Sequence, residues 1–308
     1  MPAPRNRTIR LSKADEVRLR SRLVRLNSPA ELAKIQDKTI HQDLYSVLPL
    51  LPASSADLIF VDPPYNLNKS FGAHSFRARS HDAYVEWLES WLPVLLRAAK
   101  PDATVYLCGD WRSSAALHAV ASKYMIVRNR ITWEREKGRG AASNWKNASE
   151  DIFFCTLSDR YTFNVDDVKL RRRVLAPYRN KEGLPKDWQE TGQGNVRDTF
   201  PSNLWTDLTV PFWSMRENTD HPAQKPEKLL AKLILASTKK GDVVLDPFVG
   251  SGTTCVVAKK LERRWIGVEQ ELNYCLLTEQ RLELADEDST IQGYEDGVFW
   301  ERNSQLKG

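Results

Sequence analysis

Five consecutive residues, Asp62-Pro63-Pro64-Tyr65-Asn66, place a carboxylate, two prolines and a phenol directly behind the apolar run Leu58-Ile59-Phe60-Val61. Such a run, bounded by polar residues, reads as a buried strand of a parallel sheet. Each proline presses the residue before it into extended geometry, so Asp62 and Pro63 are expected to be stretched out. The proline nitrogens carry no hydrogen, and the corner therefore offers acceptors only: the Asp62 carboxylate and the Pro63 carbonyl. With the flat ring of Tyr65 beside them, these groups suit a planar amine such as that of a nucleobase. The same residues also describe a proline-rich turn after a core strand, and alone they do not separate the two readings.

A second stretch tips the balance. Asp242-Val243-Val244-Leu245-Asp246 reads as a strand running into Pro247-Phe248-Val249-Gly250-Ser251-Gly252-Thr253-Thr254, and Cys255 to Leu261 reads as a helix. Glycines at such a turn let backbone approach a ligand, and the free N–H groups of the helix attract an anionic group. No Lys follows the last glycine and no third glycine is present, so neither the phosphate-binding loop nor the dinucleotide fingerprint is matched. Trp265 to Val268 is a short strand ending at Glu269, an acid placed to bind ribose hydroxyls.

Together these stretches resemble the amino-group DNA methyltransferases that use S-adenosylmethionine. Asp62-Pro63-Pro64-Tyr65 resembles their catalytic motif, and Asp246-Pro247-Phe248-x-Gly250-x-Gly252 their cofactor motif. The catalytic motif comes first and the cofactor motif far downstream, an order similar to that of the beta class. It argues against ribosomal-RNA guanine and glutamine methyltransferases, in which the order is reversed. The resemblance spans Lys38 to Leu284 and implies that Asp62, Pro63, Pro64 and Tyr65 are catalytic. It implies cofactor contacts from Asp62, Asp246, Pro247, Phe248, Gly250, Ser251, Gly252, Thr253, Thr254 and Glu269. Asp43 falls where relatives carry an acid near the cofactor's adenine, though by itself it reads as a helix cap. His221-Pro222-Ala223-Gln224-Lys225-Pro226 is similar to the class signature His-Pro-Thr-Gln-Lys-Pro, with Ala223 in place of Thr. There Lys225 is expected to pair with the cofactor's carboxylate.

Asp rather than Ser at the head of the catalytic motif resembles adenine-modifying members, with cytosine-N4 modification as the alternative. A partner that binds DNA or cofactor without catalysing is a further reading. Double-stranded DNA is the implied substrate, extruding its target base. A homodimer, a cognate restriction endonuclease and a cytoplasmic setting (bacterial, archaeal or phage-encoded) are what the resemblance adds.

The elements that must position these groups read as one α/β domain, a Rossmann-like, doubly wound, mostly parallel sheet with an inserted target-recognition region. The 308 residues suffice for one such domain with an insertion, and no apolar run is long enough to span a membrane. Cys108, Cys155, Cys255 and Cys275 form no close pair and read as reduced core residues, without zinc or disulfides. The net charge of +5 permits nucleic-acid binding without demanding it. Residues 1–37 carry a basic segment that would either neutralise DNA phosphates or pack as an amphipathic helix.

Residues 38–160 form the catalytic half. Within it, 68–81 is a loop that either closes over the site or lies on the surface. The later loop Glu134 to Asn147 brings Lys137, Arg139, Trp145 and Lys146 for backbone contact and stacking. In residues 161–220 the strand–helix alternation lapses, and Arg171, Arg172, Arg173 and Arg179 there are expected to contact DNA. Residues 221–308 complete the cofactor half and end in a tail.

Overall fold

The structure, a computed structural model, describes residues 5–71, 74–135, 143–174, 178–191 and 194–301; Lys137 and Arg139 lie outside this set. Helix α1 (Lys13–Arg20), opened by a Ser12–Asp15 capping box, and a single turn α2 (Leu32–Ile35) precede the edge strand β1 (Lys38–His41). Asp43 caps α3 (Leu44–Val47), and β2 (Ala56–Val61) runs to the Asp62 bend. A hairpin, β3 (Lys69–Phe71) and β4 (His74–Phe76), is followed by α4 (His81–Glu89) and α5 (Leu92–Leu95). Next come β5 (Ala99–Gly109), α6 (Trp111–Tyr124), β6 (Ile126–Glu134) and β7 (Ser149–Thr156). The stretch without alternation supplies β8 (Leu170–Arg173), β9 (Gln189–Thr191), β10 (Gly194–Thr199) and β11 (Leu204–Trp205). Alternation resumes with α7 (Glu227–Ser237), β12 (Val243–Asp246), α8 (Thr253–Lys260), β13 (Arg264–Glu269) and α9 (Leu272–Glu287). Two short strands, β14 (Tyr294–Glu295) and β15 (Val298–Trp300), come last.

Eight strands make one sheet in the order β1-β13-β12-β2-β5-β7-β6-β11. Every neighbour is parallel except β7, which opposes both β5 and β6. The α/β doubly wound sheet read from the sequence is therefore the observed fold. Leu58 and Phe60 of β2 turn toward α7 and α8, whereas Ile59 and Val61 turn toward α4 and α6. That alternation, with apolar residues on both faces, is what a strand covered on two sides requires. Val244 and Leu245 pair with Leu58 and Ile59. From β2 the chain moves outward through β5, and from β12 it moves the other way through β13. The crevice beyond the carboxyl ends of two such strands is where open α/β sheets take ligands.

A second sheet, β14-β15-β8-β10-β9, lies on the α7 side. Phe299 and Leu170 pack with Val168, Trp205 and Leu208 in the same core as α7. All of α7 is consequently buried, Lys228 and Lys232 included, and both lysines pair with Asp207 at 2.7 Å. Near the end of the described chain β15 runs parallel to β8 and extends this sheet across the expected boundary at residue 220.

Of the two readings of the N-terminal segment, the structure has the packed helix. Leu19 is fully buried, and Arg18 and Arg22 pair with Glu283 of α9. The segment 68–81 is a hairpin whose stem is tied by Asn66, which receives the Arg79 N–H and donates to the Arg79 carbonyl. The four cysteines are buried and free. Among the described residues no helix is long and apolar enough to cross a membrane.

Candidate active site

The Asp62 bend leaves β2 with its carboxylate turned to side chains, because no backbone N–H is offered by either following residue. Asp62 Oδ1 accepts the Tyr65 hydroxyl at 2.9 Å, and Oδ2 accepts the Lys225 ammonium at 2.6 Å. The same Tyr65 hydroxyl lies 3.0 Å from Glu150 Oε2, which is 3.4 Å from Lys225 Nζ. The other oxygen of Glu150 is held by Arg135. Glu150 and Lys225 have side chains only 3% and 6% exposed, so this is a largely dehydrated cluster of two carboxylates and two cations. Burial opposes the Lys225 charge, but the Asp62 and Glu150 carboxylates outweigh it and hold the ammonium well above the ordinary lysine range. Burial likewise works against Glu150, yet Lys225 and Arg135 keep its carboxyl below its usual value. The Tyr65 phenol is pushed up by burial and by Asp62. The Pro64 carbonyl accepts the Tyr84 hydroxyl at 3.0 Å, and no donor among the described residues reaches that of Pro63.

On the adjacent strand Asp246 folds back on its own turn. Its oxygens accept the Phe248 N–H at 2.9 Å and the Thr254 hydroxyl at 2.6 Å, and the residue is 2% exposed. Burial pushes this carboxyl up to about 7. The turn needs left-handed backbone at Gly250 (φ 52°) and Gly252 (φ 84°). A Cβ on Gly252 would lie 2.6 Å from Thr278 of α9, and one on Gly250 3.0 Å from the His221 ring. Both glycines thus let the turn pack closely, and Gly250 also lines the cavity. Pro247, Phe248 and Gly250 line a cavity of about 340 Å³ together with Asp43, Asp62, Pro63, Pro64, Tyr65 and Glu269. Asp246, Ser251, Gly252, Thr253 and Thr254 stay outside its lining. Ser251 and Thr253 receive Arg281, and the Thr253 hydroxyl donates to the Lys225 carbonyl at 3.1 Å. These residues build the floor under the site rather than its wall.

A family model described as DNA methylase matches residues 56–280. The DNA adenine methyltransferase YhdJ of Escherichia coli (strain K12) is 33% identical over 253 residues, covering 80% of this chain and 82% of that protein. The type II methyltransferase M.HpaI of Haemophilus parainfluenzae is 31% identical over 264 residues, 85% of this chain and 77% of that one. The chain belongs to the DNA methylase family. Among solved structures, the cytosine-N4-specific PvuII DNA methyltransferase shares the fold of this DNA methylase, with a TM-score of 0.58 at 19% identity over 79% of this chain and 85% of that one. M1.HpyAVI, solved as a SAM complex, gives 0.54 at 24% identity, covering 79% and 98%.

The residues of the methylase cavity fit S-adenosylmethionine, whose purine, ribose and sulfonium need an apolar slot, hydroxyl acceptors and negative charge. Phe248 meets Trp91 edge-on at 5.2 Å and forms the apolar side. Glu269 accepts the Gly250 N–H at 3.0 Å and the Glu271 N–H at 2.8 Å, which leaves each carboxylate oxygen a further lone pair. Burial raises its carboxyl, a cost that two ligand hydroxyls would relieve. Asp43 uses one oxygen to cap α3 and also lines the cavity, so the cap and ligand readings are compatible. Lys225, expected at the cofactor's carboxylate, contacts Asp62 at 2.6 Å and Glu150 at 3.4 Å.

Other expected residues are dispersed. Trp145 is 94% exposed beside the exposed Lys146, and the next residue, Asn147, lines the methylase cavity. Arg171 pairs with Asp198 through two bonds of 2.7 Å and so braces β8 against β10. Arg172 approaches Glu301 at 3.6 Å, Arg173 is exposed, and Arg179 is exposed over the Trp188 ring at 5.0 Å. Lys69 and Asn147, from the two loops read as lying near the base, are in the cavity wall, as are Glu150 and Arg135, to which sequence reasoning gave no role. An acid opening an apolar strand, Glu150 before Ile152-Phe153-Phe154, was the one visible signal.

Proposed function

We propose that this DNA methylase transfers a methyl group from S-adenosylmethionine to the exocyclic N6 amine of an adenine turned out of double-stranded DNA. The observation that carries this reading is the pairing of Asp62 with an open Pro63 carbonyl at the mouth of a cavity also lined by Phe248 and Glu269. An aryl amine is a poor nucleophile because its lone pair is delocalised into the ring. Asp62 and Pro63 would each accept one amine hydrogen, drawing the nitrogen toward a pyramidal form with the lone pair localised. Glu269 would hold the ribose hydroxyls of the cofactor, with Asp43, Phe248 and Trp91 at its purine. When bound, S-adenosylmethionine supplies the electrophilic methyl group. Asp62 then stabilises the developing ammonium and takes its proton, while the ring of Tyr65, pinned by its hydroxyl, offers the base a stacking surface. Extrusion of the base is required because the amine is otherwise paired.

Adenine is favoured over cytosine by Asp62 at the head of the motif and by the adenine-methylating relative from Escherichia coli. Trp145 and Lys146, exposed beside the cavity wall, and Arg173 and Arg179 on the second sheet's side of the molecule are the contacts we assign to DNA. The family resemblance supports a cytoplasmic enzyme, with a second copy of the chain and a cognate restriction endonuclease as its partners. The deciding experiment incubates the protein with unmethylated duplex DNA and methyl-labelled cofactor, then separates the nucleosides by mass spectrometry. N6-methyldeoxyadenosine is expected. N4-methyldeoxycytidine would overturn the choice of base, and unlabelled DNA that is nevertheless bound would favour a catalytically idle partner.

A further inference from the structure

Glu150 enters no step above, yet it is a buried acid in the cavity wall. It contends with Asp62 for the same donors. The Tyr65 hydroxyl has one proton and two carboxylates within reach, Asp62 Oδ1 at 2.9 Å and Glu150 Oε2 at 3.0 Å. The Lys225 ammonium stands at 2.6 Å from Asp62 and 3.4 Å from Glu150. Arg135 fixes the far oxygen of Glu150, and Cys108 Sγ lies 3.9 Å from the near one. Lys69 faces the same cluster from the hairpin, and its own charge is disfavoured by burial and by Lys225. Each donor held by Asp62 weakens it as an acceptor for an incoming amine, and each donor that moves to Glu150 restores it.

We infer that Glu150 is a positioning residue for methyl transfer: it draws the Tyr65 hydroxyl and the Lys225 ammonium off Asp62 as the target amine arrives. This deepens the amine-methylation reading and rests on it. The exchange moves a hydrogen bond and an ammonium contact, so the net charge of the cluster is unchanged while Asp62 exchanges its internal donors for the amine. Lys225 is thereby assigned to the two carboxylates of the chain, which explains why it is buried between them.

The test uses Glu150→Gln, which keeps the shape and removes the charge. Single-turnover methyl transfer at saturating cofactor and DNA should fall by roughly 10- to 100-fold. The KM for cofactor should stay within about twofold, because Glu150 bonds Tyr65, Arg135 and Lys225 and none of Asp43, Phe248 and Glu269. Adding Tyr65→Phe to Glu150→Gln should cost much less than in the wild type, since both act through one hydroxyl. Lysine labelled with carbon-13 at Cε reads the charge relation without any turnover: Lys225 should titrate lower in Glu150→Gln. If that variant does not fold, Arg135→Gln loosens the same carboxylate from the rim, and the rate should drop by a smaller factor. An unchanged rate, or losses that simply multiply in the double variant, or an unmoved Lys225 titration would overturn the inference. Absence of any methyl transfer by the wild type would instead remove the functional reading, and the Lys225 titration would still stand.

Discussion

Two neighbouring strands of this protein end in the same dipeptide, Asp-Pro, and put it to opposite uses. At Asp62 the carboxylate faces a cavity and is held by Tyr65 and Lys225; at Asp246 it is sealed under its own turn. The difference lies one residue further on. Phe248 has a backbone N–H two positions after Asp246, and the side chain closes an Asx turn onto it. Pro64, two positions after Asp62, has none, so that carboxylate must seek side-chain donors. A single imino acid thus separates an acid sealed under its own turn from one that lines the cavity.

The largest break in this comparison should come from Asp62→Ala. Methyl transfer is expected to fall by roughly 10³-fold while DNA binding persists, because a preorganised acceptor of the developing charge is lost. Retained turnover would mean that the bend is structural, as its sister is. Pro64→Ala sharpens the same point. By restoring an N–H it lets Asp62 fold back as Asp246 does, and the single-turnover rate should drop about 10-fold through misplacement of the acceptor. An unaltered rate would show that Tyr65 and Lys225 suffice to hold it.

The last effect concerns Asp246. Its carboxyl, near 7 in the folded chain, lies above its ordinary 3.8, so the proton-bound form favours the fold. That contribution is fully present below the unfolded value and is lost as the pH rises through about 7. Asp246→Asn mimics the protonated state. It should be more stable than the parent by roughly 4 kcal/mol in urea at pH 8, with the gap narrowing as the pH falls and closing only near the unfolded value of 3.8.

The two acids also show how far the sequence could be read. β2 and β12 were legible because strands covered on both faces need short unbroken apolar runs, and their turns carry family motifs that the chain order makes specific. The α/β fold and the convergence of Asp62 with Pro247, Phe248 and Glu269 follow from that. Less visible was which acid would be buried, since that depends on a backbone donor and on Thr254 rather than on residue type. Glu150 escaped notice because its partners, Tyr65, Arg135 and Lys225, come from three distant segments, and no local spacing encodes their meeting. The second sheet was hidden for a related reason. Its strands are as short as two to six residues and pair across a long separation, so no periodicity accumulates within any one of them. The pairing of Arg171 was equally hidden, because a basic triplet shows its charge and not Asp198 on the facing strand.

That pairing of β15 with β8 has a consequence for synthesis and for engineering. A chain emerging from the ribosome can lay down β8, β10 and β9, but the layer stays open at one edge until residue 300 has been made. Residues 161–220 are therefore no transplantable cassette. A chimaera that exchanged them alone would inherit an unsealed edge, and only grafts that carry β14 and β15 with them should assemble.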